Sequence, residues 1–414
     1  MKRRHALGCC AALGAGLFSG LVATDAQALT LHNPCRGALP PALARHDIVL
    51  QAFDGIAADA LCDVHAHLIG VGDAGSGCTI HPHMQQWWHP VAVVRRRVML
   101  NAACVPSDTD SIDRAYVRRL RGLADDFPAG ARWLLFAFDQ ACDDQGRARP
   151  DWTSFHVPNA YAARVAAQHA DRFDWVASVH PYREDALQRL DEALGRGAVA
   201  VKWLPSAMNI DVRDARCRPF YDRLVRAGVP LVVHCGEEQA APGAGRDVQN
   251  NPLLVRHVLQ AGVRVVVAHA ATLGKARDLD RPSGPWRPAF DLWARLMDEP
   301  GGRANLFADI SAAFQVNRTA AARRMLLKRE DWHPRLLHGS DYPLPGVMPL
   351  YAPARLVAEG LLEAADVQPL LDIRMHNPLL FDFVLKRRLR AGAARFPRGV
   401  FETRHALRRW LAAP

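Results

Sequence analysis

The stretch Leu61-Cys62-Asp63-Val64-His65-Ala66-His67 is the segment from which the fold can be read. It is short and hydrophobic almost throughout, which is typical of a strand covered on both faces of a parallel sheet. Seven further runs of this kind follow along the chain, at residues 133–138, 175–180, 199–204, 230–234, 263–269, 305–310 and 335–339.

Amphipathic stretches with helical spacing lie between these runs. The clearest of them cover residues 161–171, 185–196, 219–227 and 253–261. Strands that alternate with helices predict an α/β fold, and eight such units fit a (β/α)8 TIM barrel. A doubly wound open sheet is the alternative, but no glycine-rich phosphate loop follows any of the runs.

Two stretches interrupt this alternation and set the predicted domain boundaries. Residues 70–125 form a long insertion after strand 1, with helical patterns at 91–104 and 111–124. Residues 386–414 form a basic C-terminal extension whose Leu385, Leu389, Phe396, Phe401 and Leu407 should pack against the barrel while its arginines face water. Residues 29–385 are therefore assigned to the barrel itself.

The first 28 residues have the features of a signal peptide. Lys2, Arg3 and Arg4 precede an apolar run at 6–22, and Ala26-Gln27-Ala28 is a typical cleavage site. Cleavage near Ala28 would deliver a periplasmic or secreted protein. The arginine pair leaves twin-arginine and ordinary secretion both open, and a retained N-terminal anchor is the alternative.

Composition excludes several classes of protein. With 50% hydrophobic and 23% charged residues the chain is an ordinary globular protein, so disorder and coiled coils are excluded. The net charge of +10 comes almost wholly from arginine, because only five of the 52 basic residues are lysines. A coding bias explains this better than a polyanion partner, so we expect no nucleic acid and no stable membrane insertion.

Seven cysteines remain after the predicted cleavage. An oxidising compartment would allow one or two disulfides, and the sequence does not pair them.

Histidines and an aspartate end several of the predicted strands. His65 and His67 are two residues apart and point to the same side of strand 1. His234, His269 and Asp341 end strands five, six and eight. Because the carboxyl ends of barrel strands meet at one mouth, these side chains predict a site for one or two divalent ions. Imidazole and carboxylate suit Zn, Mn, Fe or Ni, with zinc the first expectation.

Lys202 lies within the apolar run of strand four. A buried ammonium is costly, and in a chain that otherwise uses arginine the amine indicates a specific need. A carboxylated Lys202, formed with CO₂, would bridge two ions, which a guanidinium cannot do. The alternative is an ammonium ion paired with Asp341 or with substrate.

These motifs, together with Gly339-Ser340-Asp341-Tyr342-Pro343 and Asp309-Ile310-Ser311-Ala312, resemble the amidohydrolase superfamily over nearly the whole mature chain. The residue sequences of both stretches are most similar to those of the amidohydrolase-related branch, which contains metal-dependent hydrolases and decarboxylases. The resemblance implies that His65 and His67 bind the more buried ion and that His234 and His269 bind the more exposed one. Lys202 would bridge them, and Asp341 would hold the buried ion and shuttle the proton.

The expected function is a hydrolase that uses a metal-activated water to cleave a C–N or C–O bond of a small molecule, such as an amide, lactone or ester. Asp341 would take the proton of that water and return it to the leaving group. A decarboxylase on the same barrel and a non-catalytic ligand-binding barrel are the alternatives. The oligomeric state stays open.

Four residues are weaker candidates for substrate contact. His180 ends strand three and could equally support the core. Glu237 follows strand five beside Glu238, where a solvated acid is the alternative. Trp87 and Trp88 could stack on a substrate ring or simply anchor the long loop. The neighbouring His81, His83 and His89 could cap the mouth or belong to a solvated loop.

Overall fold

All eight predicted strands are present in the computed structural model, which describes residues 32–106 and 108–412. The predicted signal peptide, 1–28, lies outside the described residues. The strands are β1 Cys62–His67, β2 Arg132–Phe136, β3 Phe173–Val176, β4 Val201–Trp203, β5 Leu231–His234, β6 Val265–Ala268, β7 Leu306–Asp309 and β8 Leu336–Leu337.

The strands pair in parallel and in chain order, but they form two sheets. One sheet has the order β1-β2-β3 and the other β4-β5-β6-β7-β8. Single parallel bridges, Ala177 to Val201 and Ala66 to Tyr342, connect the two sheets at their edges. The prediction of one closed barrel sheet is therefore wrong in this respect. The physical reason is strand length, because β4 has three residues and β8 two, which leaves few ladder positions at the closing edges.

Side chains from the two sheets nevertheless share one interior. This cluster contains Cys62, Val64, Leu134, Phe136, Val176, Ala200, Val232, Val266 and Leu337. The opposite faces of the strands pack against helices in the larger core. Each strand is thus buried on both faces, as its continuous hydrophobicity indicates.

The helices of the described residues follow in chain order. They are α1 Pro41–Ala44, α2 Asp47–Phe53, α3 Pro90–Ala102, α4 Ile112–Asp125, α5 Asn159–Gln168, α6 Ala186–Gly195, α7 Pro205–Met208, α8 Cys217–Ala227, α9 Val255–Gln260, α10 Ala289–Asp298, α11 Pro300–Asn305, α12 Ala320–Lys328, α13 Pro353–Ala358, α14 Val367–His376, α15 Pro378–Arg388 and α16 Arg404–Ala412.

Helices α3 and α4 are the two predicted between the first strands. Ser111 caps α4 by accepting a hydrogen bond from the Arg114 amide, which explains where that helix begins. The C-terminal end of α3 is tied to the preceding chain by a disulfide between Cys35 and Cys104, whose Cα atoms are 5.4 Å apart. Helix α3 is thereby held over the carboxyl ends of the strands.

The C-terminal residues pack against the strands and do not separate from them. The five apolar residues predicted to do so are all buried. Helix α15 runs across position 386, where the predicted extension begins, and Lys386 is buried in an ion pair with Asp382. Helix α16 lies at the amino ends of the strands, where Leu407 and Trp410 join the interior cluster. The opposite end is left for the functional site.

Across the described part of the chain, no helix combines the length and the hydrophobicity that a membrane span requires.

Candidate metal centre

Three predicted ligands meet at the carboxyl end of β1. Asp341 Oδ1 lies 3.0 Å from His67 Nε2 and 3.4 Å from His65 Nε2. The Asp341 backbone amide donates a hydrogen bond to the His65 carbonyl at 2.7 Å, and its positive φ of 60° turns the carboxylate towards the two rings. Ligand atoms of these residues all lie within 4.8 Å of one another, close enough to hold one ion.

Asp309, at the end of β7, orients His65. Its Oδ2 accepts a hydrogen bond from His65 Nδ1 at 2.9 Å, and its Oδ1 accepts from the amides of His269 and Ser311 at 3.0 and 3.1 Å. An ionised carboxylate only accepts, so Nδ1 carries the proton and the Nε2 lone pair is left facing Asp341. Asp309 opens the Asp309-Ile310-Ser311-Ala312 stretch, for which no individual role was predicted. Its position at a strand end was the signal that could have found it.

His269 is oriented in the same way by Ser311. The Ser311 hydroxyl donates to Asp309 and lies 2.7 Å from His269 Nδ1, so it accepts that ring proton. His269 Nε2 then points towards Asp341 Oδ2, at 3.7 Å. Residues 269–271 have positive φ angles, and this left-handed turn directs the ring back over β6.

His234 lies on the neighbouring strand, with its ring centre 5.4 Å from that of His269. Its Nε2 is 3.4 Å from Glu238 Oε2. Two backbone amides, of Ala240 and Ala241, hold the other oxygen of Glu238. The structure therefore brings Glu238 to the metal-facing wall, whereas the predicted Glu237 is exposed and lies at the rim.

Burial controls the charge of these groups. It lowers the pKa of His234 to about 4, which keeps the imidazole neutral and able to bind a metal. Burial by itself would raise the pKa of the Asp341 carboxyl, but three neighbouring imidazoles outweigh it, so that pKa lies well below its usual range. The site thus combines the neutral ring of His234 with the ionised carboxylate of Asp341.

Lys202 projects from β4 into the same cavity and is only 2% exposed. Within the described residues no carboxylate oxygen lies within 4.0 Å of Nζ, so the expected alternative of an ion pair with Asp341 is not seen. Its Nζ lies 5.3 Å from the ring centre of Phe136. Burial lowers the pKa of the Lys202 amine, which favours the neutral form that carboxylation needs.

Two chambers meet at this centre. The inner one, of about 130 Å³, is lined by all six predicted ligands and by apolar side chains that include Met99, Leu100 and Phe138. The outer one, of about 490 Å³, shares His234, His269 and Asp341 with it. A small molecule can therefore contact the predicted ligands from either side.

Three of the weaker candidates lie away from both chambers. His180 is fully buried, with Nε2 donating to the Met208 carbonyl and Nδ1 accepting from the Tyr182 amide, so both ring nitrogens are satisfied in the core. Trp87 and Trp88 are 81% and 58% exposed and line neither chamber.

The residues present fit a divalent metal ion. The donors are imidazole and carboxylate, the set that suits such ions, and hydrogen bonds on the far ring nitrogens of His65 and His269 leave their Nε2 atoms free. A second group of potential ligand atoms consists of His65, His269 and Asp309. The geometry defines an α/β protein in which the carboxyl ends of the strands carry groups that could hold a metal ion.

Comparison with known proteins agrees with this class. Residues 62–369, more than half of the chain, match the family model described as Amidohydrolase. The chain therefore belongs to the amidohydrolase family, whose members usually bind divalent metal ions. No curated protein matches the chain in sequence.

Several solved structures are similar to this chain. An uncharacterised TIM-barrel protein from Bordetella bronchiseptica is 17% identical, with 72% of this chain and 98% of that chain covered and a TM-score of 0.44. A probable 2-pyrone-4,6-dicarboxylic acid hydrolase from Acinetobacter baumannii is 13% identical, with coverages of 78% and 97% and a TM-score of 0.42. The 5-carboxyvanillate decarboxylase from Sphingomonas paucimobilis is 12% identical, with coverages of 84% and 98% and a TM-score of 0.49.

Proposed function

We propose that this protein is a metal-dependent hydrolase that cleaves a C–N or C–O bond of a small amide, lactone or ester. One observation carries the proposal: His65, His67 and Asp341 present their ligand atoms together on a cavity wall, with His65 oriented by Asp309. This is the arrangement of an open site, in which protein ligands leave room for water and substrate.

His65, His67 and Asp341 would hold one ion, with zinc the first to test because its usual ligands are of these types. His234 and His269 would hold a second ion, and a carboxylated Lys202 would bridge the two. When bound, a divalent ion supplies Lewis acidity and a water whose pKa falls from its bulk value towards about 7.

Asp341 is the proposed proton carrier. Its carboxylate is ionised and buried, with Oδ1 beside His67 and Oδ2 directed towards His269. In the proposed reaction the water oxygen bonds to the substrate carbonyl carbon and its proton passes to Asp341. The C–N or C–O bond then breaks, and Asp341 returns the proton to the leaving nitrogen or oxygen.

A decarboxylase is the second candidate. It is favoured by the fact that, of the predicted ligands in the described residues, His65, His67 and Asp341 form the one set within 4.8 Å of one another. A single ion is what that reaction would use on this scaffold.

We further propose that the protein works outside the cytoplasm. The support is the Cys35–Cys104 disulfide, because disulfides persist in oxidising compartments.

The test is metal analysis of the purified protein followed by a panel of amides, lactones, esters and aromatic carboxylic acids. We expect turnover of one hydrolysable class, with Asp341→Asn at least roughly 100-fold slower. Asp278→Asn is the matched control, because Asp278 is an equally buried carboxylate that pairs with Arg295. Carbon dioxide release would replace the hydrolase by the decarboxylase, and metal retention without any turnover would leave a binding protein.

A further inference from the structure

Three arginines line the two chambers and have no acidic partner. They are Arg95, Arg96 and Arg318, and no carboxylate oxygen of the described residues lies within 4.0 Å of their guanidinium groups. Other arginines of the chain are paired, such as Arg256, which contacts two carboxylates at 2.5 and 2.6 Å. Glu237, Glu238 and Asp341 also line the chambers, but their carboxylates lie beyond direct contact with the three guanidinium groups, which keep free hydrogen-bond donors.

Arg318 is the most deeply buried of the three arginines, at 7% exposure. Its Nε donates to the Ala312 carbonyl at 3.3 Å, and its two terminal nitrogens make no hydrogen bond to any described residue. Burial lowers the pKa of Arg318 to about 10, which still leaves the guanidinium charged at neutral pH. A buried, charged and unpaired group is costly unless a ligand pairs with it.

Gln315 lies beside Arg318 on the same wall of the outer chamber. It is 1% exposed and lies beside the Tyr351 hydroxyl, but its Nε2 completes no well-formed hydrogen bond with the described residues. A tight turn places the two side by side, since the Arg318 amide donates to the Gln315 carbonyl at 3.1 Å. Arg323 holds this turn by donating to both backbone carbonyls, at 3.0 and 2.8 Å. The backbone that carries both donors is thus held in place by Arg323.

We propose that the outer chamber binds a carboxylate of the substrate, which accepts hydrogen bonds from the Arg318 guanidinium and the Gln315 amide. The planar guanidinium fork matches the two oxygens of a carboxylate. Val94, Val98 and Leu344 line the same chamber and would contact an apolar body. The substrate class is therefore a small carboxylic acid with an apolar body.

The residues that line both chambers indicate where the reacting bond of the substrate would lie. His269 and Asp341 belong to both chambers, so one molecule can place its carboxylate at Arg318 and a second functional group at Asp341. This step rests on the proposed function. The carboxylate at Arg318 serves for recognition, and the amide, lactone or ester at Asp341 is the group that is cleaved.

The inference is tested by calorimetric binding of phenylalkanoic acids with one to four methylenes, each compared with its uncharged amide. The wild-type protein should bind at least one acid roughly tenfold or more tightly than its amide, the effect expected for charge-assisted hydrogen bonds. Arg318→Gln should remove this preference. Arg281→Gln is the matched control, because Arg281 is exposed and lines neither chamber, and it should keep the preference.

Metal removal separates two ways of binding an acid. The preference should persist after chelation, because Arg318 does not need the ion. A preference that disappears on chelation but persists in Arg318→Gln would mean that the ion binds the acid, and the inference would be wrong. No preference across the whole series would also overturn it.

Thermal stability gives a readout that does not depend on the probe. Arg318→Met should melt no lower than wild type without ligand, since it removes an unpaired buried charge. A clear fall in Tm would show that Arg318 is a structural residue. Binding is measured here without turnover, so a lost acid preference overturns this inference alone, and a failure to hydrolyse any substrate overturns the proposed function alone.

Discussion

Replacing Asp309 with asparagine should weaken metal binding by roughly 10- to 100-fold while the protein stays folded. Asp309 is fully buried and is not among the ligands assigned to the first ion, although its oxygens belong to the second group of potential ligand atoms. Its effect would be transmitted through His65, whose Nδ1 it holds at 2.9 Å. The prediction therefore tests whether the orientation of His65 matters, separately from the presence of the ligands.

The geometry decides which way the new amide would point. Oδ1 of Asp309 accepts from the His269 amide, the Ser311 amide and the Ser311 hydroxyl, whereas Oδ2 accepts from His65 alone. Asparagine should keep its oxygen at the first position and place its NH₂ group against His65 Nδ1. His65 must then accept at Nδ1 and carry its proton on Nε2, the atom that faces Asp341. A tenfold to hundredfold loss corresponds to about 1.4 to 2.7 kcal/mol, the usual range for a hydrogen bond to a charged group.

The assay is competition for metal against a chelator of known affinity, with circular dichroism to confirm folding. Asp278→Asn is the matched control, since it also removes a buried carboxylate, one that pairs with Arg295. The control should lose stability and keep its metal affinity. An Asp309→Asn protein that is folded and binds metal as tightly as wild type would refute the proposed orientation of His65.

Three further predictions concern a ligand, the core and the disulfide. Lys202→Ala should lose about one equivalent of metal by elemental analysis if a carbamate bridges two ions, and an unchanged content would remove the bridge. Burial lowers the pKa of His180 from 6.5 to about 4. Between pH 6.5 and about 4 the His180 imidazole is therefore protonated in the unfolded chain and neutral in the folded one. Stability should fall as the pH drops through this range. The free energy of unfolding changes by up to about 1.4 kcal/mol per pH unit, so the loss of stability approaches about 3 kcal/mol. Urea titrations at a series of pH values should show a flatter pH dependence of stability for His180→Gln than for wild type. Parallel pH dependences for the two proteins would contradict this. Replacing Cys35 and Cys104 by serine opens a loop with a sequence separation of 69. The free energy of unfolding, measured in urea, should fall by about 4 kcal/mol. A fall of less than roughly 1 kcal/mol would show that loop entropy does not explain the stabilisation here.

The order and number of the principal strands could be predicted because the signal is local. A strand buried on both faces is hydrophobic along its whole length, and the run before His234 or His269 shows this without any partner. Closure of the sheet could not be predicted in the same way. It depends on how many ladder positions the short strands β4 and β8 offer at their edges, which hydrophobicity does not record.

The candidate metal centre was predictable to the extent that its residues end strands. His65, His67 and Asp341 come together as the strand-end argument requires. Glu238 was not separable from Glu237, because the two are adjacent and the loop conformation alone decides which carboxylate turns towards His234. Loop residues have no fixed periodicity from which a direction can be read.

The sequence by itself determined the class of fold and the chemical nature of the ligand set, since both are written in short-range patterns of hydrophobicity and residue type. Only the tertiary structure decided which ring nitrogens are free, and it assigned His180 to the core. It alone showed that Arg318 and Lys202 are buried without acidic partners. These properties depend on which atoms from distant segments meet in three dimensions, and on how much water the fold excludes around them.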